Sequence, residues 1–162
     1  MLRRMLLTDL EAVAAIERRA NQFPWPATQF ADSLRDSHWS WVLEHQGRVS
    51  GFAIYSLVLD EASLLNIAVD PQCQRRGFGR RLLQTTLHLL REQGTVECFL
   101  EVRCSNRPAE MLYRSLGFSI TGQRRDYYPA ATGREDAHVM RCDLKEIPGN
   151  MIDNKSDRGA AR

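Results

Sequence analysis

The stretch that most constrains this sequence is Gln74-Arg75-Arg76-Gly77-Phe78-Gly79-Arg80. It lies between an apolar run, residues 62–69, that ends in Asp70-Pro71 and a helical pattern over residues 80–93. Proline lacks the ladder donor and halts the strand. Leu82, Leu83, Leu87 and Leu90 then recur on one helical face, with Gly94 where a helix usually stops. A glycine-rich turn between strand and helix lets backbone come close to a ligand. The free N–H groups of the first helical turn point at that ligand, with the positive end of the helix dipole behind them. Arg75, Arg76, Arg80 and Arg81 concentrate positive charge there, so a pyrophosphate fits. No Lys-Ser or Lys-Thr follows the second glycine, which excludes a P-loop, and the third glycine of the dinucleotide fingerprint is missing. On letters alone the segment is a glycine turn with a solvated arginine face; its position between strand and helix is what favours an anion site.

The flanking patterns give an α/β order. Thr8 and Glu11 stand at capping-box spacing ahead of Leu10, Val13, Ala14 and Ile16, which predicts a helix to about Ala20. Pro24 and Pro26 interrupt it, and Thr28 is a candidate cap for a second short helix through Phe30 and Leu34. Residues 39–45 and 49–58 read as a hairpin through Gln46-Gly47. In residues 96–102 Val96, Cys98, Leu100 and Val102 share one strand face, leaving Glu101 on the other. Pro108 opens a helix striped by Ala109, Leu112, Tyr113 and Leu116 and stopped by Gly117. Residues 118–123 and 138–144 read as closing strands around a loop, 124–136. The whole predicts an α/β domain over residues 1–146, a mixed sheet with helices on both faces, followed by a polar, disordered tail over 147–162.

Composition narrows the function classes. With 162 residues, 43% hydrophobic and 26% charged, one domain with a working core suffices. A net charge of +2 makes a polyanion an unnatural partner for the whole surface, so no direct nucleic-acid binding is expected. Cys73, Cys98, Cys104 and Cys142 lack disulfide-framework or C-x-x-C spacing and read as free thiols of a reducing compartment. There is no signal-peptide core and no membrane-length run, which predicts a cytoplasmic protein. His38, His45, His88 and His138 are scattered without metal-ligand spacing, so no metal is expected.

Three motifs in order make the chain resemble the GNAT acetyltransferase superfamily. They are Asn66-Ile67-Ala68-Val69-Asp70-Pro71, the Q-x-x-G-x-G set at Gln74, Gly77 and Gly79, and Asn106-Arg107-Pro108-Ala109 through Leu112-Tyr113 to Leu116-Gly117-Phe118. The resemblance spans roughly residues 2–144. Phe23-Pro24-Trp25, Leu64-Leu65-Asn66, Leu100-Glu101-Val102-Arg103 and Asp126-Tyr127-Tyr128-Pro129 narrow it to the ribosomal-protein-alanine N-acetyltransferases of the RimI type. It implies acetyl-coenzyme A as cosubstrate. Ile67, Ala68 and Val69 would hold its pantetheine arm and acetyl carbonyl through strand backbone; Arg75, Arg76, Gly77, Phe78, Gly79 and Arg80 would hold its pyrophosphate; Asn106 would touch its far side. Glu101 would be general base and Tyr113 general acid, in direct transfer to the N-terminal alanine of a small-subunit ribosomal protein.

The chemistry asks for the same residue types. An amine attacks a thioester only when neutral, an α-amino group is mostly protonated at neutral pH, and the leaving thiolate gains from a proton. On pattern alone Glu101 is a solvated-face carboxylate and Tyr113 a core tyrosine; the resemblance gives them their roles. Glu61 ranks second as base, and Cys104 raises an acetyl-cysteine intermediate that lacks a histidine partner. Tyr127 and Tyr128 either clamp an extended peptide or serve as plain aromatic anchors of their loop. Rival readings are a GNAT enzyme acting on lysine side chains or a small amine, and a non-catalytic acyl-coenzyme A-binding module of ribosome assembly. A monomer or weak dimer is expected.

Overall fold

Seven strands form one sheet in the order β1-β2-β3-β4-β5-β7-β6 in a computed structural model that describes residues 1–148. In chain order the elements are β1 (Leu2–Arg4), α1 (Leu10–Ala20), α2 (Ala27–Arg35), β2 (Trp39–His45), β3 (Arg48–Val58), β4 (Glu61–Val69), α3 (Phe78–Glu92), β5 (Glu97–Arg103), α4 (Arg107–Ser115), β6 (Phe118–Pro129) and β7 (Arg134–Asp143). The β4–β5 pair is parallel and every other pair is antiparallel. The mixed sheet covered on both faces is the α/β architecture expected from the order of patterns.

Each face has its own core. Val13, Ile16 and Phe30 of α1 and α2 pack on Val42, Phe52 and Ile54 of the sheet. Across the sheet, Leu82, Leu83, Leu87 and Leu90 of α3 and Tyr113 of α4 pack on Tyr55, Leu100, Val102 and Met140. The helical spacing of those leucines is therefore the spacing of a buried stripe. Removing one of them, as in Leu83→Ala, costs about 2–5 kcal/mol. A buried hydrogen bond between the Tyr55 hydroxyl and Thr86 Oγ1, 2.7 Å long, fixes α3 to the sheet. On β5 the alternation is as the sequence gives it, with Cys98, Leu100 and Val102 buried and Glu97, Phe99, Glu101 and Arg103 half-buried on the opposite face.

Three local expectations are corrected. Thr8 and Glu11 form no capping box: residues 7–9 make a 3-10 turn, and α1 starts after Asp9. The Asp9 carboxylate instead accepts from the Leu6 N–H at 2.8 Å and from both ends of the Arg3 guanidinium at 2.7 and 2.8 Å. A bidentate charged pair outweighs a hydroxyl cap. Arg3 lies on β1, an edge strand too short to show a period in sequence. Thr28 is inside α2, which begins at Ala27 with Pro26 as its cap residue. Residues 124–136 are mostly strand, since β6 and β7 run on to Pro129 and back from Arg134. This arm is exposed and charged, so no apolar alternation marks it. Asp136 holds it by accepting from the Asp126 N–H (2.9 Å) and Gln123 Nε2 (2.7 Å). Of the expected tail, Ile147 packs against the core beside α3 and α4 and residues 149–162 lie outside the described residues.

Candidate active site

The parallel β4–β5 pairing is limited to Glu61↔Glu97, Ala62↔Cys98 and Ser63↔Phe99. Past Ser63 and Phe99 the strands separate. Residues 64–69 of β4 and 100–103 of β5 then present facing backbone edges with no ladder between them, and an unpaired strand edge is a row of donors and acceptors for a ligand. An extra residue in β4, Leu65, between the Tyr55↔Leu64 and Ile54↔Asn66 pairs, sharpens the divergence. Ile67 and Ala68 are half-buried along this opening.

The wedge leads to the N-terminus of α3. Gln74 Nε2 donates to the Val69 carbonyl at 3.1 Å and ties the turn to the strand end. Arg75 (φ 62°) and Gly77 (φ 78°) are both left-handed. A Cβ on Gly77 would meet nothing within 4 Å, so it is φ, not crowding, that asks for glycine there. The first helical bond runs from Arg81 N–H to the Gly77 carbonyl, and no side chain caps the helix. The N–H groups of Phe78, Gly79 and Arg80 therefore have no partner within the helix, and the dipole favours an anion in front of them. Arg75 and Arg76 are exposed beside them.

Three expected cosubstrate contacts have other partners in the fold. Arg80 Nη2 donates to Ser115 Oγ at 2.9 Å and so joins α3 to α4. Asn106 is the N-cap of α4, its Oδ1 accepting from the Ala109 N–H at 3.3 Å. Phe78 packs on the His45 ring, centroids 4.9 Å apart.

Glu101 and Tyr113 stand on opposite faces of β5. Glu101 faces a cleft of about 770 Å³, whose walls include Trp25, Leu65, Arg124, Tyr127 and Tyr128. Its Oε1 is 2.9 Å from Arg124 Nε. Tyr127 sits in the same cleft, and the neighbouring Glu101 carboxylate, followed by partial burial, holds its phenol above the usual range. Tyr128 is raised too, by burial first and then by the Glu101 charge. Both tyrosines are thus hydroxyl donors at neutral pH. Tyr113 lies in the α3/α4 core, its ring edge-on to Phe118 at 5.9 Å. Burial, with Cys98 nearby, pushes its phenol up to about 12, so it keeps its proton at neutral pH and is a hydrogen-bond donor rather than an acceptor. The β4–β5 opening lies between the face that carries Glu101 and the face that carries Tyr113.

The rival groups are less well placed. Glu61 sits at the closed end of the wedge, paired with Glu97. The Cys104 thiol is raised by partial desolvation and by Asp136, Glu135 and Glu110, the reverse of what a nucleophilic thiol needs. Among the described residues no group of His, Cys, Asp and Glu has the arrangement of a metal site, and no helix is long and apolar enough to cross a membrane. Arg124, the ion-pair partner of Glu101, was not legible in the sequence. It reaches Glu101 only through the β5–β7–β6 register, which no local pattern encodes.

Residues 10–118 match the Acetyltransferase (GNAT) family. The chain is 47% identical over 133 residues to the ribosomal protein bS18-alanine N-acetyltransferase of Escherichia coli (strain K12), covering 82% of this chain and 90% of that protein. It is 39% identical over 137 residues to the enzyme of the same name from Haemophilus influenzae, covering 84% and 93%. The crystal structure of the ribosomal-protein-S18-alanine N-acetyltransferase from Escherichia coli superposes with a TM-score of 0.86 at 42% identity, covering 93% of this chain and 97% of that one.

Proposed function

The chain belongs to the GNAT family of acetyltransferases, and from that premise we propose that it transfers acetyl from acetyl-coenzyme A to the N-terminal alanine of a small-subunit ribosomal protein of the bS18 kind. Acetyl-coenzyme A would lie in the β4–β5 wedge. The edge of Ile67, Ala68 and Val69 would bond its pantetheine arm and acetyl carbonyl, and the turn from Arg75 to Arg80 its pyrophosphate. Asn106 keeps its amide NH₂ to offer the far side of the cosubstrate while its oxygen caps α4.

The peptide would enter the cleft on the Glu101 side, with Tyr127 and Tyr128 along its path. Its ammonium takes the place of the Arg124 guanidinium at Glu101. Glu101 removes one proton from the ammonium, the neutral nitrogen attacks the carbonyl carbon, and the C–S bond breaks as Tyr113 hydrogen-bonds and protonates the sulfur; the second proton, shed by the acylated nitrogen, restores the Tyr113 phenol. An acetamide and free coenzyme A result, with the amine's proton left on Glu101 and then passed to solvent. No covalent enzyme intermediate is needed, in keeping with the raised Cys104 thiol. A single carboxylate suits an α-amine, neutral in about one molecule in ten at pH 7, better than a lysine, neutral in about one in two thousand.

The observation that carries this reading is a carboxylate and a high-pKa phenol on opposite faces of one strand, beside an unpaired strand edge. We place the activity in residues 1–146, in the cytoplasm, in a monomer or weak dimer that uses neither metal nor direct nucleic-acid contact. The test is incubation with acetyl-coenzyme A and a panel of short peptides, following thiol release and locating the acetyl group by mass spectrometry. Acetylation of the α-nitrogen of alanine-initial peptides is the expected outcome; thiol release without peptide acetylation contradicts it.

A further inference from the structure

Arg103 follows Glu101 by two residues on β5, so both side chains leave the same face of the sheet. Its guanidinium carbon is 4.6 Å from the Tyr128 ring centroid and 5.0 Å from that of Phe23. Its Nη1 donates to the Pro129 carbonyl at 2.6 Å and to Glu135 Oε1 at 3.0 Å. Glu135 is itself held, accepting from the Ser105 hydroxyl at 3.0 Å and the Ser105 N–H at 3.3 Å. One side chain thus touches the loop between α1 and α2, which carries Phe23 and Trp25, and the β6–β7 arm, which carries Tyr127 and Tyr128.

The arm needs such a tie. The β6–β7 register breaks between Arg124 and Tyr128, and Asp126 within the break has φ 49°. The ladder resumes only at Tyr128↔Glu135, so an irregular stretch separates the pairs that carry Tyr128 from those beside Glu101.

We propose that Arg103 is the positioning residue of the acceptor cleft, joining the α1–α2 loop to the β6–β7 arm by stacking on Phe23 and Tyr128. Its rings, carbonyl and carboxylate are supplied by the protein, so it acts on the peptide through the tyrosines and Trp25 rather than by touching it. A lysine cannot replace it, because an ammonium lacks the planar fork that stacks on rings while bonding a carbonyl and a carboxylate.

The inference rests on the cleft being the acceptor site, and the test separates the two. Steady-state kinetics with wild type, Arg103→Lys, Arg103→Met, Phe23→Leu and the double variant Arg103→Lys/Phe23→Leu use acetyl-coenzyme A and the best alanine-initial peptide of a panel. Each Arg103 variant should raise the peptide KM about tenfold, the size two partly exposed cation–π contacts can carry, with kcat within about threefold and the acetyl-coenzyme A KM unmoved. Arg103→Lys and Phe23→Leu should be less than additive in peptide KM, because each removes the same contact. An unmoved peptide KM in Arg103→Lys, or full additivity, overturns the inference and leaves the proposed function standing. Equal losses for both substrates with a collapse in melting temperature also overturn it, since Arg103 is then a structural residue only. No turnover by wild type on any peptide contradicts the proposed function and the inference with it.

Discussion

The wedge proposed for acetyl-coenzyme A and the cleft proposed for the peptide are built in different ways. One wall of the wedge and its floor come from one continuous stretch, the end of β4, the turn and the start of α3, with the β5 edge opposite, and they offer mainly backbone: an unpaired edge, a left-handed Gly77 and N–H groups free at a helix start. The cleft draws Trp25, Glu101, Arg124, Tyr127 and Tyr128 from three separate parts of the chain and works through side chains. On the proposed reading, binding of a common cosubstrate is written in local turn geometry, whereas acceptor choice depends on tertiary assembly.

Variants that separate the two regions test this difference. The largest effect is expected where they meet. Tyr113→Phe removes one hydroxyl and little volume, so turnover should fall about 10²-fold or more with melting temperature and both KM values near wild type. Stopped turnover assays and thermal melts check it; normal turnover with a sharply lower melting temperature makes Tyr113 a core residue alone. Next, Gly77→Val forces a β-branched residue to φ 78° and should move the wedge only. Wild type should gain about 2.7 kcal/mol of stability at a cosubstrate concentration of 100 Kd, and most of this gain should vanish in the variant at the same concentration. A retained thermal shift would show that the turn does not hold the pyrophosphate.

The same difference explains what could be read from sequence. Gln74, Gly77 and Gly79 were legible because turn chemistry and a following leucine stripe are local signals. So was the outward face of Glu101, since strand alternation has period two and β5 obeys it. The Arg124–Glu101 ion pair and the Arg103 stack were not, because they need β7 to lie between β5 and β6. The exposed arm carries no apolar period and looked like a loop, and the Arg3–Asp9 pair replaced a cap that the letters suggested. Asn106 illustrates the reverse: a residue taken for a ligand contact is also the helix cap its type and position favour.

The smallest expected effect concerns two buried carboxylates beneath the cleft side of the sheet. Asp9 is held low, first by its bonds from Arg3; its contribution to stability is present above the unfolded value and is lost as pH falls through the folded one. Glu17 is fully buried, bonded to Asn66 through Oε2, with Oε1 unpartnered among the described residues, and burial pushes its carboxyl up. The sign is opposite: its burden is absent at low pH, where both states are protonated, and grows as pH rises from the unfolded value of about 4.3 to the folded one. Glu17→Gln should flatten that decline, seen as a pH-dependent difference in urea midpoint from wild type, with the acetyl-coenzyme A KM unmoved. A constant difference across pH would mean that Glu17 is not titrating in that window.

The central claim, a carboxylate base serving an α-amine, is tested most directly by pH–rate profiles of wild type and Glu101→Gln on two peptides, one with a free N-terminal alanine and one blocked there but carrying a lysine. Wild type should acetylate the alanine peptide far faster. The Gln variant should lose most at neutral pH and recover part of the rate as rising pH supplies neutral amine from solution. Preference for the lysine peptide, or parallel profiles for the two enzymes, would contradict it.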